Sequence, residues 1–431
     1  VDAVEVKTRQ SPRWLSRRLW RRRLVFWGGA VVVGAVSVIF ADAANWAQIE
    51  FLAASHRFWG LGLVITPAGF VFCAWAAREV FPGAQGSGIP QAIAARQLSH
   101  YAQRRRLLSI KLCIGKIGLT VVGLLSGASV GREGPTVQVG AAIMLKVARL
   151  GGLRNERGLI LAGSAAGIAA AFNAPLAGIV FAIEEMSRSF ESRTNGLVLY
   201  AVIIAGLVSL GLVGNYTYFG TTSVAVSTPF GWALVLLCGV VGGLAGGAFS
   251  RLLLDGSALA KRWLAAQSDF KKLLLPLLCG VLVALLGLAT HGATFGTGYV
   301  QAKSAVEGHA LSGFFWPAKL LATLATALSG IPGGIFAPSL AVGAGLGDWL
   351  AAGAGPTASL GAVLGMAGYF AGVVQAPMTA FVIILEMTGN DANVIPLMVA
   401  AVLGFGASKL IAPHPLYHGL AKGFVADSGR D

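Results

Sequence analysis

Gly131-Arg132-Glu133-Gly134-Pro135 is followed, 203 residues later, by Gly334-Ile335-Phe336-Ala337-Pro338. Each is a Gly-to-Pro break set between long apolar runs. Gly86-Ser87-Gly88-Ile89-Pro90 has the same form. Glycine lets the backbone turn where other residues are strained, and proline suits the first turn of a helix, whose N–H groups have no intrahelical partner in any case. All three stretches are therefore read as helix starts. First-turn N–H groups carry a partial positive charge, so several such starts converging away from water form a site for an anion. No Lys or Arg is expected as a ligand, because a full cation would hold a halide too tightly to release it.

Outward from these breaks, the two halves of the chain repeat. Ala165-Ala166-Gly167, Asn173-Ala174-Pro175 and Glu184 fall on Ala367-Gly368-Tyr369, Gln375-Ala376-Pro377 and Glu386 at a constant offset of 202 residues. Coincident prolines and a coincident carboxylate go beyond chance matches among small residues. Interrupted helices at equivalent points of two repeats point to a transporter with its substrate near the midplane between them.

Hydrophobic residues make up 55% of the 431 and charged ones 12%, where soluble domains carry about 25% charge. A water-soluble globule is excluded. At about 20 residues per crossing the chain has room for well over a dozen spans and none for a large extramembrane unit. The 59 glycines suit close helix packing and broken helices. The expected fold is an all-α polytopic membrane protein with many helices broken or tilted, built as two repeats. Residues 1–22 form a basic cytoplasmic segment in this reading, 23–213 the first repeat and 214–229 a connection. Residues 230–412 form the second repeat, and 413–431 a C-terminal helix and cytoplasmic tail.

Lys and Arg number 33 against 18 Asp and Glu, a net charge of +15. The position of that charge argues against nucleic acid as its partner. Arg9, Arg13, Arg17, Arg18 and Arg21 to Arg23 precede the apolar run Leu24 to Phe40, and Arg104 to Arg106 precede another. Short basic flanks of this kind mark cytoplasmic ends next to lipid head groups. The first apolar run is too long for a cleaved signal peptide. The absence of an initiator Met leaves room for natural residues ahead of Val1, and few residues follow Tyr417, so no C-terminal nucleotide-binding unit is expected. Cys73, Cys113, Cys238 and Cys279 stand singly in apolar stretches, without His at ligand spacing, and read as core filler. No metal or cofactor is expected.

Glu133 needs a reason for its place, since an intramembrane carboxylate costs about 2.5–3.5 kcal/mol on insertion scales. Either Arg132 beside it neutralises it, or it works. Ser87 and Tyr417 can each offer a hydroxyl to an anion, although as isolated residues they also suit a helix cap or an interface. Glu184-Glu185 ends the apolar stretch Leu176–Ile183, which places the pair near a membrane edge as a solvated helix end or a proton-handling pair.

With its three loops in order and Pro415-Leu416-Tyr417 near the end, the chain resembles the CLC family of chloride channels and chloride/proton antiporters over about residues 11 to 425. That resemblance implies about 17–18 helices in two inverted-topology repeats, a homodimer with one pore per subunit, chloride and protons as substrates, and a multi-pass protein of a bacterial inner membrane with both termini cytoplasmic. It further implies that Glu133 is the gating glutamate, whose carboxylate competes with chloride until protonation frees it. Ser87 and Tyr417 become the side-chain anion ligands, completed by the backbone N–H groups of Ile335 and Phe336. The remaining loop residues, Gly86, Gly88, Ile89, Pro90, Gly131, Arg132, Gly134, Pro135, Gly334, Ala337 and Pro338, frame the selectivity loops. Ser at position 87 resembles the chloride-preferring pattern. Glu185 resembles the internal proton-transfer glutamate, which favours electrogenic exchange over the alternative, a passive chloride channel gated by Glu133. Glu386 receives a structural reading only. A fluoride exporter fits the loops less well. The chain shows no HExxH or paired-Asp motif of an intramembrane enzyme, and a membrane scaffold needs no mirrored helix breaks around a central acid.

Overall fold

The computed structural model describes residues 17–428, apart from 154, 188–191, 215, 223 and 353–357. Arg9, Arg13 and the chain beyond 428 lie outside the described residues. The first half comprises α1 (Arg17–Arg57), α2 (Leu61–Glu79), α3 (Ile89–Gln97), α4 (Tyr101–Leu107), α5 (Ile110–Leu125), α6 (Glu133–Leu150), α7 (Glu156–Phe172), α8 (Pro175–Phe181) and α9 (Ser192–Val213). Helix α8 continues into a wider π-helical turn, Ala182–Ser187. The second half comprises α10 (Pro229–Ala265), α11 (Asp269–Lys272), α12 (Leu274–Ala289), α13 (Tyr299–Val306), α14 (Phe315–Leu328), α15 (Phe336–Leu350), α16 (Ala358–Val374), α17 (Pro377–Thr388) and α18 (Val394–Lys409), with α19 (Leu416–Ser428) at the end. Helices α4 and α5 make one apolar rod, as do α11 and α12, and with these joined the described residues hold seventeen helices. They hold no strand, only two isolated bridges.

The expected breaks fall between helices. Ser109, Asn155 and Thr228 start α5, α7 and α10 by accepting the main-chain N–H groups of Leu112, Gly158 and Gly231, the usual way to satisfy an orphan first-turn donor. Seven helical rods among the described residues are long and apolar enough to cross a membrane. Helix α1, at 41 residues, is about 60 Å long, twice the hydrocarbon thickness of about 30 Å, so it tilts or projects. Leu24–Phe40 is only its middle. Within the basic flank ahead of α5, Arg104 is buried, pairs with Glu156 of α7 and donates to the Leu98 carbonyl. Arg105 and Arg106 remain exposed.

Helices α6, α7, α15 and α16 form the centre, with almost every residue of α7 and α16 buried. Glycine makes this possible. A Cβ on Gly140 of α6 would lie 2.2 Å from the Gly163 carbonyl oxygen of α7, and a Cβ on Gly163 would lie 2.2 Å from that of Gly140. Gly343 and Gly365, at the equivalent positions of α15 and α16, approach each other in the same way, with 2.7 and 2.3 Å. Cys73, Cys113 and Cys238 are buried and Cys279 is partly buried, all as free thiols.

The two halves are related by a two-fold axis, because their contacts are reciprocal. The Gly131 N–H donates to the Gly334 carbonyl and the Gly334 N–H to the Gly131 carbonyl, both at 2.7 Å, in an antiparallel bridge. Such exchange between equivalent residues is what a two-fold operator produces. It runs the two stretches in opposite directions, which is the relation inverted repeats require.

Candidate functional site

The three Gly-to-Pro stretches meet at this axis. Beyond the Gly131–Gly334 bridge, the Gly86 N–H donates to the Ile331 carbonyl at 3.2 Å and the Gly333 N–H donates to the Gly86 carbonyl at 3.1 Å. Gly134 and Ser87 are in such close contact that a Cβ on Gly134 would lie 2.3 Å from the Ser87 hydroxyl. A Cβ on Gly334 would lie 2.9 Å from the Gly134 nitrogen. Gly86 and Gly88 hold φ of +68° and +103°, conformations that side chains with a Cβ rarely adopt. Ile89 and Pro90 then open α3, Glu133, Gly134 and Pro135 open α6, and Phe336, Ala337 and Pro338 open α15. Three helix starts thus meet in one buried region.

Polar side chains join them there. Ser87, Glu133 and Tyr417 are all buried. The Tyr417 hydroxyl faces the Ser87 hydroxyl, yet neither closes a hydrogen bond of normal geometry. Buried hydroxyls without partners are costly. The Tyr417 ring is stacked on Phe336, 5.9 Å between centroids with 13° between planes, and Phe336 packs in turn on Phe172, Phe181 and Phe370. Ile335 is the N-cap of α15, so helix geometry leaves its N–H and that of Phe336 without an intrahelical acceptor. A cavity of about 510 Å³, lined by Ser87, Ile335, Tyr417 and Lys261 among others, opens beside the pair.

Glu133 is the first residue of α6. Its carboxylate folds back over Gly131 beside Ala337 and Pro338, near the amides of Glu133 and Ala337, without closing a hydrogen bond to either. Arg132 directs its hydrogen bonds elsewhere. The guanidinium turns away to α1, donating to the Ala41 carbonyl at 2.6 Å and to Asn45 Oδ1 at 2.8 Å, and it lies 5.7 Å from the Tyr218 ring.

Sequence reasoning missed Lys116. Fully buried on α5, it donates from Nζ to the carbonyls of Gln85 (3.3 Å) and Gly86 (2.8 Å), while Gln91 Nε2 donates to the Gln85 carbonyl at 2.6 Å. These bonds satisfy the carbonyls of the first loop. Lys319, 203 residues on, does the same for Thr294 and Gly296 at 2.9 and 2.7 Å. That match at a constant offset was the available signal.

Glu184 and Glu185, read together as one helix end, have separate surroundings. Glu184 accepts the N–H groups of Met378 (3.1 Å) and Thr379 (2.6 Å) at the start of α17. Glu386 accepts those of Leu176 (3.1 Å) and Ala177 (2.6 Å) at the start of α8. The two acids cap each other's helices across the axis. Glu185 instead is buried, its Oε1 lying 3.4 Å from His418 Nδ1.

Comparison with known proteins places this geometry. A family model described as voltage gated chloride channel matches residues 69–409. The H(+)/Cl(-) exchange transporter ClcA of Yersinia pestis is 32% identical over 417 residues, covering 90% of this chain and 84% of its own length. That of Salmonella paratyphi A is 30% identical over 439 residues, covering 96% and 91%. Among solved structures, a slow cyanobacterial Cl-/H+ antiporter superposes with a TM-score of 0.81 at 23% identity, over 94% of this chain and 98% of that one. A CLC-type fluoride/proton antiporter gives 0.79 at 23% identity, over 94% and 99%.

Proposed function

The chain belongs to the voltage-gated chloride channel family of multi-pass membrane proteins, and from that premise we propose that it exchanges chloride for protons, electrogenically, as a homodimer with one pathway per subunit. The relatives from Yersinia pestis and Salmonella paratyphi A are named H(+)/Cl(-) exchange transporters, which supports exchange over a passive channel. One observation carries the reading: an unpaired buried carboxylate, Glu133, shares a region with three helix starts and with two hydroxyls that lack partners.

Chloride is held between Ser87 Oγ and the Tyr417 hydroxyl and by the N–H groups of Ile335 and Phe336. These are partial charges only, so the ion can leave. When ionised, Glu133 occupies the outer part of the same region and repels the anion. When protonated, it loses that charge and swings aside. Glu185 passes protons between the cytoplasm and Glu133. Because the carboxylate and the anion exclude each other, each proton taken up opens the way for anions and each proton released closes it. The setting proposed is a bacterial inner membrane with both termini in the cytoplasm.

The test uses the full chain in liposomes loaded with chloride. Chloride leaving down its gradient drives proton uptake, and external pH rises although the escaping anion leaves the interior positive. Chloride leak without proton uptake makes the protein a channel, and neither flux removes the reading altogether.

A further inference from the structure

Glu185 is 2% exposed at its side chain, so a proton must reach it through another group or a water. His418 meets that need. Its Nδ1 lies 3.4 Å from Glu185 Oε1 and is sealed from solvent, while 20% of its side chain is exposed. It follows Tyr417 directly in the first turn of α19. Histidine is the one side chain whose ordinary titration falls between pH 5 and 8, which suits it to pass protons in both directions.

We propose that His418 is the proton relay between the cytoplasmic solution and Glu185, an inference that rests on the reading of Glu185 given above. The imidazolium gives its Nδ1 proton to Glu185 Oε1, leaving a neutral imidazole and a carboxylic acid. A turn of the ring carries the bare nitrogen to solvent, where it takes a proton from water or buffer, and the steps reverse for release. Because Tyr417 and His418 are neighbours at one helix start, that single turn holds an anion ligand and the relay. Arg96 at the end of α3 braces the other side, donating to the Met186 carbonyl and, at 3.5 Å, to Ser187 Oγ.

Charged groups also stand on α19 and on the elements that pack against it. Helix α3 contributes Arg96, and α19 itself contributes Lys422 one turn beyond the imidazole. Helix α10 contributes Lys261 and Arg262 at its end and, further back, Arg251 with Asp255 at 3.6 Å. Helix α16 offers only Tyr369.

The test measures coupled chloride efflux from liposomes holding the full chain, with imidazole present at equal concentration on both sides so that the buffer carries no gradient. His418→Ala and His418→Gln should each slow coupled flux about tenfold. Imidazole should restore His418→Ala to within about twofold of the unsubstituted chain, as a freely diffusing donor replaces the missing one. The dependence of flux on pH near neutrality should flatten in both variants. Unchanged flux in His418→Gln, or a loss that imidazole does not repair and that leaves the pH profile intact, overturns the relay. Glu185→Gln serves as the second arm and should abolish proton movement with or without imidazole. If it does not, the reading of Glu185 fails, whereas loss there with no effect at His418 removes only the relay.

Discussion

The two repeats agree in what builds the protein and differ in what it handles. Gly140 and Gly163 cross as Gly343 and Gly365 do. Glu184 and Glu386 cap each other's helices at equal distances, and Lys116 and Lys319 hold equivalent loops. Even the loop conformation repeats: Gly296 and Gly298 have φ of +66° and +78°, against +68° and +103° at Gly86 and Gly88. Yet Glu133 of α6 has Phe336 as its mate on α15, and Glu185 has Met387. Ser87 has Thr297, whose hydroxyl and N–H both donate to Gln48 Oε1 of α1, at 2.9 and 3.0 Å. The second repeat thus has its hydroxyl satisfied and its acids replaced by apolar side chains. In the proposed reading, positions alike in both repeats belong to the frame, and positions that differ belong to the chemistry.

The largest expected effect breaks that asymmetry at its centre. Glu133→Gln, which fixes the neutral form, should lower proton flux in liposomes by about 100-fold or more while chloride still passes. Continued proton pumping against a chloride gradient would remove Glu133 from the coupling role.

Next come paired substitutions in the frame, which should act alike in both halves. Glu184→Ala and Glu386→Ala each strand two helix-start N–H groups, and each should cost about 1–3 kcal/mol in stability. Thermal unfolding in detergent reads both. A large effect at one and none at the other would mean that the caps are not equivalent.

Smaller again is the contrast between the two hydroxyls. Ser87→Ala should weaken chloride binding, read by calorimetry, about tenfold, since a hydrogen bond to a charged group is lost. Thr297→Val, the mate, should change it by less than about twofold. Equal effects at both positions would contradict the division between frame and chemistry.

The sequence made much of the frame legible, because its signals are local. Glycine and proline mark the helix starts at 86–90, 131–135 and 334–338, and the constant offset exposes the repeat. The mate of the first loop escaped notice because Gly296-Thr297-Gly298-Tyr299-Val300 has no proline and is shifted by 210 residues instead of 202 or 203. Glu184 and Glu185 looked alike as neighbours in sequence. Only packing against α17 on one side and α19 on the other gives them different partners. Arg132 beside Glu133 suggested a neutralising pair, and the contacts of its guanidinium with Ala41 and Asn45, about 90 residues away, could not be read locally. Lys116 looked like any basic residue in an apolar helix until its carbonyl partners were in place.

Crystals grown in bromide and measured at the bromine absorption edge test the central claim most directly. Anomalous density should lie between the Ser87 and Tyr417 hydroxyls and the N–H groups of Ile335 and Phe336, with none beside Thr297. Density beside Thr297, or none at Ser87 and Tyr417, would contradict it.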